Sequence, residues 1–133
     1  MGIVERRMAP VNSKPSDLAI PAAKNAIDSA EPGIAEDIDL VIFCGIERDQ
    51  PEPATAHIIQ DKLGLNSRYA FDMANACFGF VDAMQVAASY IKCGIVKYAL
   101  IITGEVPSKV MRCLLYTSPS PRDLSTSRMP SSA

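Results

Sequence analysis

Tyr69-Ala70-Phe71-Asp72-Met73-Ala74-Asn75-Ala76-Cys77-Phe78-Gly79-Phe80 is the stretch from which the fold follows. Tyr69–Met73 predicts a short buried strand, and residues 77–92 predict a long apolar helix, so Cys77 falls where strand turns into helix. Backbone N–H groups at a helix start have no intrahelical partners and carry partial positive charge. That charge stabilises a thiolate and binds a developing oxyanion. The competing role for Cys77 is that of a small buried hydrophobe. In the helix, Asp82, Gln85, Ser89 and Lys92 form one narrow polar stripe and the rest is apolar or small. Burial around most of its circumference is therefore expected.

Outward from this stretch, Ile38-Asp39-Leu40-Val41-Ile42-Phe43-Cys44 is a continuous apolar run between turn residues, the pattern of a strand buried on both faces. Lys97-Tyr98-Ala99-Leu100-Ile101-Ile102-Thr103 repeats it after Gly94 ends the helix. Residues 45–51 read as a polar loop. Glu52-Pro53-Ala54-Thr55 opens a helix with Pro at its first position, Ile58, Ile59 and Leu63 as its apolar face, and Gly64 as its stop. Ser13-Lys14-Pro15-Ser16-Asp17 supplies Ser caps, an early Pro and an acid for an earlier helix reaching about Ala30. Leu18, Ala22, Ala26 and Ile27 recur there at helical spacing, Glu31-Pro32-Gly33 ends it, and Pro21 either bends it or marks where its regular part begins. Helix and strand alternate with short connections, which predicts an α/β fold: a parallel sheet with right-handed crossovers and ligands gathered at the strands' carboxyl ends. Cys77 and Glu52 both follow such an end.

With 133 residues and 48% apolar content the chain can bury one ordinary core, and a net charge of -2 gives no basic footprint for nucleic acid. No segment has the length of a membrane span, and residues 1–7 do not form a signal peptide. Four cysteines without metal spacing predict a reduced, cytoplasmic setting. Composition changes near Arg112: residues 113–133 are dense in Ser, Pro and Thr. They resemble the conceptual translation of a transposon-type sequencing adapter, so the expected organisation is a domain over 1–112 and a disordered read-through tail over 113–133. That excludes Cys113 from the chemistry.

Cys77 is the candidate nucleophile, since thiolates attack thioesters well, and Gly79 leaves room for close helix packing or a substrate. Glu52 is a candidate general base towards a carbon next to a carbonyl, or ordinary negative charge at a helix start. His57, the sole histidine, reads as a surface or packing residue, Cys44 and Cys93 as structural, Met73 and Met84 as core, and Arg6 with Arg7 as solvated rather than phosphate-binding.

Gly2-Ile3-Val4-Glu5-Arg6-Arg7, Asp37-Ile38-Asp39-Leu40, Phe71 through Phe80, and Ile91-Lys92-Cys93-Gly94 followed by Lys97-Tyr98-Ala99-Leu100 together resemble β-ketoacyl-acyl-carrier-protein synthase III, of the thiolase superfamily. The resemblance covers residues 2–112. It implies a thiolase-like fold, of which this is a partial N-terminal half, with parallel buried strands and a central buried helix. It implies that Cys77 is acylated by an acyl-CoA, and that a malonyl-carrier carbanion or another acyl-CoA enolate then attacks in a Claisen condensation. It further implies a homodimer, with residues 50–54 reaching the partner's pocket, an acyl carrier protein as partner, and no cofactor beyond these substrates.

The chain departs from the family in several places. Nothing here matches the family's catalytic His and Asn, and the opening strand and the CoA-facing tryptophan of the fatty-acid-initiating members are missing. The expectation is a fragment inactive by itself. Glu52-Pro53-Ala54-Thr55-Ala56 with Ala74-Asn75-Ala76-Cys77 is closer to the branch that condenses two acyl-CoAs head to head, where the resemblance implies that Glu52 is a base contributed by the partner subunit. The alternative class is a non-catalytic α/β interaction domain in which Cys77 packs.

Overall fold

The computed structural model describes residues 8–107. One compact unit is Pro10–Val106; a second comprises Met1–Ala9 and Pro107–Ala133. Most of the latter, with Arg6, Arg7, Cys113 and the 113–133 tail, lies outside the described residues.

Element order in the first unit is α1 Pro15–Asp28, α2 Ile34–Asp37, β1 Ile38–Cys44, α3 Thr55–Leu63, β2 Tyr69–Met73, α4 Gly79–Lys92 and β3 Tyr98–Thr103. The strands form a parallel sheet of order β2-β1-β3. β1 is central, which explains its unbroken apolar sequence: Val41 and Phe43 join the core beneath α1 and α3, while Leu40, Ile42 and Cys44 join the core beneath α4. Each such fully buried side chain contributes about 1.5–3 kcal/mol of transfer free energy. From β1 the chain moves one way across the sheet through α3 and returns the other way, past β1, through α4. The two helices use opposite faces, so both crossovers have the same hand.

Helix ends follow local chemistry. Pro15 occupies the first turn of α1, and the Lys14 N–H donates to Asp17 Oδ2 at 2.8 Å. The N-cap residue is Lys14, and Ser16 is engaged elsewhere: its N–H and hydroxyl both donate to Asp49, from the loop after β1. α1 runs through Pro21, and its buried face is Ser16, Ala19 and Ala23 rather than Leu18, Ala22 and Ala26, which are exposed. The reason is contact distance. A Cβ on Gly104 would lie 3.0 Å from Ala19 N and 3.1 Å from Ala19 Cβ, and closer still to the Pro15 carbonyl oxygen. Only the small-residue face of α1 fits so near the backbone that follows β3.

Other expectations change as well. α3 starts at Thr55, after Pro53, with Ala54 as its N-cap, so Glu52 precedes the helix instead of opening it. The short α2 between α1 and β1 has no counterpart in the sequence reading. Among the described residues β2 and β3 are only half-buried, because each has a strand neighbour on one side alone. α4 likewise buries one line, Gly79, Ala83 and Ala87, while Phe80, Val81, Ile91 and Met84 (45% exposed) stay open. Met84 is therefore not core, whereas Met73 packs against the α4-side cluster as expected. The helix is apolar around more of its surface than the sheet beneath it can cover. No helix among the described residues is long and apolar enough to cross a membrane.

Candidate active site

Asn75-Ala76-Cys77-Phe78 is a tight turn joining β2 to α4. The Phe78 N–H donates to the Asn75 carbonyl at 2.9 Å and the Gly79 N–H to the Ala76 carbonyl at 3.2 Å. Ala76 holds φ +43, a left-handed conformation that costs a residue with a Cβ about 1–2 kcal/mol. Asn75 Nδ2 donates to Asp82, which fastens the turn to the first turn of α4. Cys77 is consequently exposed on a sharp strand-to-helix corner, ahead of the N-cap Phe78, not inside the helix. An exposed thiol on a fixed corner is open to a thioester carbonyl, the approach that nucleophilic catalysis needs.

Gly79 sits directly under this corner. An added Cβ would meet the Met73 carbonyl oxygen at 3.5 Å and Cys44 Cβ at 3.8 Å, ordinary contact distances. Gly79→Ala is therefore expected to change the unfolding free energy by less than about 1 kcal/mol in urea titration, as at a site free of clash. A loss of several kcal/mol would mean that the corner needs the missing side chain's space.

Glu52 is exposed in the loop between β1 and α3. That loop and the Cys77 corner both lie at the sheet's carboxyl edge, as the strand–helix order predicts. Among the described residues no hydrogen bond or ion pair joins them.

Asp72 on β2 is the polar residue that sequence reasoning passed over. Its Oδ2 accepts the Thr55 N–H and its Oδ1 the Ala56 N–H, both at 2.8 Å. Arg48 Nε stands 3.8 Å from Oδ2, and the Asp72 side chain is only 5% exposed. The signal was present: an acid inside Tyr69-Ala70-Phe71-Asp72-Met73 must find donors if the strand is buried.

His57 is exposed, its Nδ1 3.3 Å from Gln60 Oε1, in keeping with a surface role. Cys93 is exposed at the C-cap of α4. Cys44 is buried in β1, and burial, reinforced by the negative charge of Asp72, pushes its thiol up to about 11. It stays protonated and inert near neutral pH, consistent with a structural cysteine.

Comparison with known proteins places these features. The family described as 3-oxoacyl-[acyl-carrier-protein (ACP)] synthase III matches residues 71–114, which include Cys77. Beta-ketoacyl-[acyl-carrier-protein] synthase III from a Clostridium perfringens strain is 44% identical over 109 residues, covering 81% of this chain and 33% of that protein. The protein of the same name from Wolbachia pipientis wMel is 42% identical over 111 residues, covering 83% and 35%. The chain thus spans about a third of the length of the curated relatives it matches. Among solved structures, OleA from Xanthomonas campestris in complex with cerulenin superposes with a TM-score of 0.75 at 38% identity, over 87% of this chain and 35% of that one.

Proposed function

The chain is a β-ketoacyl-acyl-carrier-protein synthase III-like member of the thiolase superfamily, and on that premise we propose that it is part of a condensing acyltransferase whose nucleophile is Cys77. The observation that carries the proposal is the exposed thiol on the strained Ala76 corner between β2 and α4. The Cys77 thiolate adds to an acyl-CoA carbonyl, a new carbon–sulfur bond forms, the bond to CoA breaks, and CoA leaves as the thiol after taking up a proton.

A carbanion then attacks the acyl-Cys77 carbonyl, forming the carbon–carbon bond and releasing the Cys77 thiolate. In the malonyl-carrier reading, loss of carbon dioxide generates that carbanion. In the second reading Glu52, contributed by the partner subunit, removes the α-proton of another acyl-CoA. Its exposure in the loop before α3 leaves its carboxylate free to reach the partner's pocket, which favours keeping that reading. A cytoplasmic homodimer using acyl-CoA and an acyl carrier protein belongs to the same proposal. No residue here corresponds to the family's His and Asn, so loading of Cys77 without turnover is the end point proposed for the 133-residue chain.

Incubation with an acyl-CoA, followed by intact-mass and peptide mass spectrometry, is the test. One acyl adduct is expected on Cys77, absent in Cys77→Ala and unaffected by Glu52→Ala. No adduct, or equal labelling of Cys93, would overturn the assignment in favour of a non-catalytic domain.

A further inference from the structure

We propose that Asp72 is a positioning residue that fixes the Glu52-bearing loop to the strand delivering Cys77. Its functional meaning rests on the role of Glu52 proposed above, since a loop fixed on its own chain presents Glu52 at a set position to the partner subunit's pocket; its geometry does not.

The start of a helix is ordinarily satisfied by its own N-cap side chain. α3 has Ala54 at that position and no side-chain hydrogen bond from it. Both carboxylate oxygens of Asp72, from a different element, do the work instead, accepting Thr55 N–H and Ala56 N–H at 2.8 Å each. If helix stability alone were served, a serine at position 54 would supply the acceptor locally. An acceptor on β2 does something a local cap cannot: it ties α3 and the loop before it to the strand that runs into the Cys77 corner.

The loop is held at its other end as well. Arg48 Nε is 3.8 Å from Asp72 Oδ2, the Asp49 N–H donates to Thr55 Oγ1 at 3.2 Å, and the Asp49 carboxylate receives the N–H and hydroxyl of Ser16 on α1. Residues 50–54 are thereby a short span between two anchors, with Glu52 exposed at its middle. Hydrogen bonds to a charged, nearly buried acceptor are the stronger kind. Asp72 therefore sets the span's position relative to β2 and not merely the stability of α3.

Pulsed dipolar spectroscopy tests this directly. Nitroxide labels are placed at positions 52 and 77 in a chain carrying Glu52→Cys, Cys93→Ser and Cys113→Ser, diluted into unlabelled chain so that only intramolecular pairs are read. A single narrow distance distribution is expected, widening at least twofold in Asp72→Asn. Gly64→Ala, which strains the far end of α3 where an added Cβ has open space, should leave the width unchanged. If Asp72→Asn folds poorly, Ala54→Ser with Asp72→Asn returns a local cap without the tether, and the widening should persist. An unchanged width in either Asp72 variant, an equally wide parent, or equal widening in Gly64→Ala would each overturn the proposal. Acylation of Cys77 is measured separately, so failure of the nucleophile assignment and failure of the tether give different results.

Discussion

Replacing Gly104 with alanine is expected to destabilise the Pro10–Val106 unit by on the order of 3 kcal/mol, the upper range for forcing atoms into a packed interior. The new Cβ would overlap the Pro15 carbonyl oxygen and stand 3.0 Å from Ala19 N and 3.1 Å from Ala19 Cβ. These are mostly backbone atoms of the first turns of α1, which cannot rotate out of the way. Relief requires α1 to lift, and lifting it uncovers Ala19 and Ala23, both now buried. Gly64→Ala is the internal control: at φ +66 with no atom within 4 Å, it should cost only the left-handed penalty, about 1 kcal/mol. Urea midpoints of the two variants measure the difference. Equal losses would show that α1 does not rest on Gly104.

Alkaline pH supplies the second large effect. The Cys44 thiol, ordinarily near 9.0, is raised to about 11 by burial and by Asp72. The folded state therefore holds the proton more tightly than the unfolded chain. This contribution is fully present below pH 9 and is lost as pH rises towards 11, amounting to about 2–3 kcal/mol. Unfolding free energies measured across that window should fall more steeply for the parent than for Cys44→Ala, which has no thiol to ionise. Parallel profiles would show that ionising Cys44 costs nothing.

Part of the fold was legible in the sequence alone. The run from Ile38 to Cys44 could only be a strand covered on both faces, and β1 is the central strand. Glycines 64 and 94 end their helices in left-handed conformations, as residues without a Cβ can do freely. Apolar periodicity was less reliable where a helix has more apolar surface than its neighbours cover. Leu18, Ala22 and Ala26 matched a helical face, yet Ser16, Ala19 and Ala23 are the ones buried, because the approach to Gly104 selects for small size. Asp72 was passed over for a related reason. Its partners Thr55 and Ala56 are separated from it in sequence and meet it only when α3 packs beside β2.

What the sequence by itself determined is the alternation of helix and strand, the burial of β1 on both faces and the placing of Cys77 at a strand-to-helix junction. Each follows from local pattern: continuous apolar runs, turn residues and chain order. Only the tertiary structure decided that Cys77 precedes the helix on a left-handed corner, that Glu52 lies in a loop before α3, and that Asp72 ties that loop to β2. Those features depend on distances between elements, which no run of neighbouring residues specifies.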